Sequence, residues 1–197
     1  MVQDQTNKLA RADKSELRRQ RIIEAAATLF ILKGFHQTGM RDIASQAGIS
    51  LGNLYNHFKG KHEIIAAIAE METAEMEPLL DLLETPGARG RDVLIPFAKA
   101  YFRTCSLPEN AALSAEIIAE VFRNPETGRA FSGTRKRLVT ALEPHLPKTF
   151  SNRAATAGLV LDLIERAGQS AVGTSDRARK DTETALLEML KRTIEPV

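Results

Sequence analysis

The chain of 197 residues has one cysteine, Cys105, no tryptophan, and only 5% aromatic residues. A single thiol rules out an intrachain disulfide, so the fold must hold by burial alone, which a chain of this length can supply. No apolar run approaches the roughly 20 residues that a membrane-spanning helix needs. The N-terminus is polar and charged, without the apolar stretch of a secretory signal, and a reducing cytoplasm is the expected location. Catalytic signatures are also missing. His57 and His62 straddle an expected helix break, His36 and His145 stand alone, and Cys105 has no histidine near it in sequence. No phosphate loop, GxSxG or dinucleotide fingerprint occurs. No cofactor, metal or catalytic residue is expected, and Cys105 reads first as a buried thiol.

What is present is helical periodicity. Apolar residues recur at three- and four-residue spacings almost throughout, and no stretch alternates as a strand would. Glycine and proline divide this all-α chain into nine expected helices, at about 15–34, 40–47, 51–57, 61–84, 88–105, 108–123, 125–145, 151–172 and 176–194. Residues 1–14 are polar enough to form a flexible arm. Charge is unevenly shared: the net charge is +2, yet residues 1–62 carry ten Lys or Arg against five Asp or Glu. A basic segment joined to a mildly acidic remainder suits a module that meets a polyanion and a second that does not.

The basic segment repays a residue-level reading. "SELRRQRIIEAAATLFILKGF" puts Ile22, Ala26, Leu29 and Phe30 on one face and stops at Gly34, after which Phe35 folds back. In "GMRDIASQAGIS" the stripe is Ile43, Ala44 and Ala47, with a stop at Gly48, and Ser50 can cap the next helix. A short helix, a glycine-containing turn and a second short helix is the spacing of a helix-turn-helix, whose second helix enters a major groove. In "SLGNLYNHF", Leu54 and Phe58 fall one turn apart on a buried face. Leu51, Gly52, Asn53, Tyr55, Asn56 and His57 then point outward.

Those outward residues suit a duplex. Asn53 and Asn56 can pair bidentately with adenine, and Gly52 lets the backbone approach the groove. Tyr55, His57 and Lys61 can donate to phosphates, as can Thr38; Arg41 can reach a base edge or a phosphate. Ser50 lies at the same helix end.

Arg21 to Ile68 resembles the DNA-binding domain of the TetR (tetracycline repressor) family. The likeness rests on the glycine and aromatic after helix one, "MRDIA", the turn Ala47-Gly48-Ile49-Ser50, and Leu54-Tyr55 followed by His57-Phe58 and Lys61. Gly39 and Gly60 stand where a Ser, Thr or Asn cap is usual, a change of a few tenths of a kcal/mol. Ile31 and Leu32 replace residues that are often polar, so a cover over the end of helix one is expected. Leu51 stands where a longer polar residue is common, and contact with a thymine methyl suits it.

The resemblance implies a helix-turn-helix domain at 15–60 and an effector-binding, dimerising domain at 61–197, with the last two helices forming a four-helix interface. It implies double-stranded DNA with a pseudo-palindromic operator, an unidentified small-molecule effector, a homodimer and no membrane as partners. Repression is the expected sign. For the effector, helices five to eight bring Phe97, Tyr101, Phe102, Cys105, Ile118, Phe122 and Leu161, which can be core or can line a cavity; Tyr101, Glu116 and Glu165 are polar residues on otherwise apolar helices. For the dimer, helix eight bands Ala157, Leu161, Ile164, Gly168 and Ala171, and helix nine bands Leu186, Leu187, Leu190 and Ile194. A nucleoid-type binder without an inducer, and a helical carrier or enzyme with a vestigial helix-turn-helix, are the competing classes.

Overall fold

The computed structural model describes the backbone from Val2 to Ile194, and side chains from Lys14 onward except at 126 and 127. All regular structure among these residues is helical. In chain order the helices are α1 (Val2–Lys33), α2 (Met40–Gln46), α3 (Leu51–His57), α4 (Lys61–Glu75), α5 (Glu77–Leu83), α6 (Arg91–Cys105), α7 (Pro108–Arg123) and α8 (Pro125–Leu142). A 3-10 turn follows at Glu143–His145, then α9 (Arg153–Ser170) and α10 (Asp176–Ile194).

Three expectations need correction. The first helix starts at Val2, so the segment read as a flexible arm continues α1; 2–14 holds no glycine or proline to stop a helix. Met1 and the side chains of 2–13 lie outside the described residues. The single helix expected at 61–84 is two, α4 and α5. Pro78 sits in the first turn of α5, where it has no N–H to donate to the carbonyl four residues back and its ring crowds that carbonyl, so α4 cannot run on through it and a new helix starts after Met76. Leu32 is not covered: it is 72% exposed.

Cα packing divides the chain into two compact units. The first comprises residues 1–71 and 116–130, and so includes the head of α4 and the second half of α7 as well as the first three helices. Its core joins Ile22, Phe30, Ile43, Leu54, Ile64 and Ile68, each no more than 3% exposed. The second comprises 72–115 and 131–197. There α6 packs on α5, α9 and α10 around Phe97, Phe102, Leu142 and Leu161. A Cβ on Gly168 of α9 would lie 2.7 Å from Cys105 Cβ and 2.8 Å from the carbonyl oxygen of Phe102, so glycine is what lets α6 and α9 approach.

Candidate nucleic-acid interface

The reading head is built by local bonds. Gly39 caps α2 without a side-chain acceptor of its own, and Asp42 in the first turn reaches back to accept the Gly39 N–H at 2.8 Å. Gly48 takes a left-handed φ of +67°, which reverses the chain so that Ile49 N–H bonds Ala44 O. Ser50 Oγ then accepts Asn53 N–H at 3.2 Å and starts α3. Leu54 is fully buried and Phe58 nearly so, with the guanidinium of Arg19 5.4 Å from the Phe58 ring.

The opposite side of α3 is open. Gly52, Tyr55 and Asn56 are exposed, Leu51, Asn53 and His57 half-buried, and Arg41 and Ser50 exposed beside them. The structure thus leaves eight of the ten residues read from the sequence wholly or partly accessible on α2, on α3 and at the α3 cap. Tyr55 retains 42% of its surface.

Two residues do not join them. Thr38 is 1% exposed, and its hydroxyl hydrogen is shared between the carbonyl oxygens of Gly34 at 2.9 Å and Leu29 at 3.3 Å, so it fastens the end of α1. Lys61 Nζ donates to Phe35 O at 2.8 Å and sits 4.3 Å from the centre of the Phe35 ring. Burial holds its ammonium below the usual lysine pKa, against the opposing pull of Glu120. Both look suited to phosphate in the sequence because their internal acceptors are backbone carbonyls, which leave no mark in the side-chain pattern. Lys59 was overlooked: it is exposed and its Nζ bonds Tyr55 O at 3.0 Å, placing a cation at the end of the reading helix.

Residues 22–68 match the sequence profile of bacterial regulatory proteins of the tetR family. The HTH-type transcriptional regulator UidR of Escherichia coli K12 is 31% identical over 160 residues, 74% of this chain and 76% of that protein. This chain belongs to the TetR family of transcriptional regulators. The HTH-type transcriptional repressor KstR2 of Mycolicibacterium smegmatis is 43% identical over 51 residues, which cover 26% of this chain and a quarter of its own length. The multidrug binding protein EbrR complexed with malachite green shares the fold, with a TM-score of 0.70 at 20% identity over 91% of this chain and 99% of that one. No helix among the described residues is long and apolar enough to cross a membrane.

In this TetR-family chain the second unit holds a half-buried polar cluster bordering its apolar core. Tyr101 stacks on Phe97 with ring centres 5.6 Å apart and lies near Cys105, each polar group influencing the other. Burial pushes the Tyr101 hydroxyl well above its ordinary pKa and the Cys105 thiol up to about 12, with Glu165 adding to both. Glu165 Oε1 accepts from Ser114 Oγ at 2.8 Å and Gln169 Nε2 at 3.1 Å. Glu72, which the sequence gave no reason to select, joins them: burial, then Glu165, then Glu75 raise its pKa to about 7. Phe102 and Leu161 are core beside this cluster.

The other three effector candidates are elsewhere. Glu116 belongs to the first unit and accepts Phe35 N–H at 3.3 Å; Ile118 is 41% and Phe122 85% exposed. The expected dimer bands are corrected too. Ala157, Leu161, Ile164, Gly168 and Ala171 of the α9 segment, and Leu186, Leu190 and Ile194 of α10, are buried in their own unit, with Leu187 partly buried against them. An apolar band on a helix marks a buried face without saying which chain buries it. The apolar residues that α9 and α10 leave exposed are Leu159, Leu163 and Met189.

Proposed function

We propose that this regulator is a ligand-responsive repressor. A homodimer holds a pseudo-palindromic operator through α2 and α3 of each subunit, and a small molecule bound in the second unit releases it. The observation that carries this reading is α3 itself: Leu54 and Phe58 pin one side, while Tyr55, Asn56 and Gly52 remain open on the other. A seven-residue helix offers few contacts, so two copies about 34 Å apart, or a multiple, supply useful affinity.

Two features support the finer parts. Exposed Leu159, Leu163 and Met189 give α9 and α10 an apolar outer face for a partner subunit. Glu72, Glu165, Tyr101 and Ser114 offer hydrogen-bonding groups beside an apolar core, a combination that suits a small-molecule site. The naming of KstR2 as a repressor and of EbrR as a multidrug binding protein is consistent with both.

The test begins by selecting duplexes bound from random sequence, followed by shift assays. Asn56→Ala should relax preference at particular base pairs, a change of about 1–3 kcal/mol in discrimination. Tyr55→Phe should weaken binding to every sequence while leaving the slope of its salt dependence nearly unchanged, because a neutral hydroxyl displaces no counterion. Equal loss for operator and random DNA with Asn56→Ala would contradict the assignment of base reading to Asn56, and no binding at low salt would remove the regulator reading.

A further inference from the structure

One unbroken helix, α7, begins in the second unit and ends in the first. Within the second unit its Ser114 donates to Glu165 at 2.8 Å. Within the first unit its next residues engage the turn between α1 and α2: Glu116 Oε2 accepts Phe35 N–H at 3.3 Å, and His36 Nε2 lies 2.9 Å from Glu120 Oε2. Glu116 and Glu120 are four apart, so they occupy one helix face and meet two consecutive residues.

The other side of that turn is held by Lys61, the first residue of α4, on the Phe35 carbonyl. The peptide group on each side of Phe35 is therefore spoken for: its N–H by α7, its C=O by α4. Two residues beyond His36 comes buried Thr38, and then the cap of α2. The turn therefore runs straight into the cap of α2, where the helix-turn-helix begins.

Charge makes this joint directional. The Glu120 side chain is 4% exposed, whereas that of His36 is 59% exposed. The contact is close but off the line of a well-directed hydrogen bond, leaving Oε2 without one. Apolar residues would hold a helix here without the desolvation that a buried carboxylate incurs. What the Glu116 carboxylate adds is register, because it accepts one particular N–H, that of Phe35, while Glu120 lies against the neighbouring His36 ring.

We propose that Glu116 and Glu120 are positioning residues through which α7 sets the α1–α2 turn, so that the state of the Glu165 cluster reaches the reading helix. This rests on the regulator reading above. By reciprocity, DNA held by α3 must then act back along α7 on the second unit.

Operator duplex obtained by the selection is the probe, and amide hydrogen exchange in residues 108–115 and 160–170 is the readout. In the wild type, operator should slow exchange in these segments about fivefold or more. Glu116→Ala and His36→Ala should still bind the duplex yet lose this response. Glu116→Gln, whose amide oxygen still accepts Phe35 N–H, should keep it. His36 is exposed, so His36→Ala tests the joint even if a change at Glu116 prevents folding. A purely structural role would lower stability or affinity and leave the response intact. The proposal is overturned if His36→Ala responds as the wild type does, if Glu116→Gln behaves as Glu116→Ala, or if the bound wild type shows no response. Failure to bind any duplex would instead remove the regulator reading, and this inference with it.

Discussion

The ammonium of Lys61 lies 2.8 Å from the carbonyl oxygen of Phe35 and 4.3 Å from the centre of its ring, closing the head of α4 over the end of α1. A lysine at this place in the sequence suggests a phosphate anchor. Its geometry instead makes it an internal strut. Lys61→Ala should therefore lower the stability of the first unit by about 1–2 kcal/mol, the worth of one charged hydrogen bond and a partly shielded cation–π contact. The slope of log affinity for DNA against log salt should not change. Denaturant unfolding and a salt titration check this; a slope shallower by about one would mean that Lys61 neutralises a phosphate after all.

Gly168 tests the α6–α9 contact. A methyl group there meets Cys105 Cβ and the Phe102 backbone below 3 Å, and neither is a flexible side-chain end. Gly168→Ala should cost about 1–3 kcal/mol through overpacking, despite the gain in helix propensity. Gly52→Ala, with open space around the added carbon, should not destabilise the fold. Thermal unfolding of the two variants separates close approach from propensity; equal behaviour would show that α6 and α9 have slack.

The reading head was legible because its signals are local. Gly34, Gly48 and Ser50 stop or start their helices through bonds within four residues, so α2 and α3 lie where the spacing puts them. The residues placed differently depend on backbone groups that side-chain spacing does not announce. Thr38 looks like a surface threonine until the Leu29 and Gly34 carbonyls are beside it, and Lys61 like a surface lysine until Phe35 is. The same holds for Glu116, whose acceptor role needs Phe35 from 81 positions away. For Leu161 and Ile164, periodicity correctly marked burial, but the burying surface turned out to be their own unit.

That last distinction can be measured on α9. Leu159 and Leu163 are 68% and 39% exposed in the single chain, and Leu161 between them is 1% exposed. Leu159→Asp together with Leu163→Asp should dissociate the proposed dimer, seen by sedimentation, while each shifts the stability of the isolated subunit by only about 0.5 kcal/mol or less. Leu161→Ala should instead cost about 2–5 kcal/mol at any protein concentration. Unchanged self-association in the double variant would move the interface off this face.

Glu72 makes the second unit sensitive to pH. Burial is the largest cause of its rise from the ordinary 4.5 to about 7, followed by the nearby charges of Glu165 and Glu75. Between those two values the folded chain keeps a proton that the unfolded chain has released, so it binds more protons and its stability must fall as pH rises. The contribution is fully present below about 4.5 and is lost by the time pH passes through about 7. Glu72→Gln keeps the size and polarity of the side chain but cannot ionise, so its unfolding midpoint should decline less than that of the wild type from pH 5 to 8. The two proteins should differ most at the alkaline end, where the wild type must bury a carboxylate beside Glu165. Urea unfolding at four pH values decides the point: parallel profiles would mean that Glu72 titrates as an ordinary surface acid and that water reaches it freely.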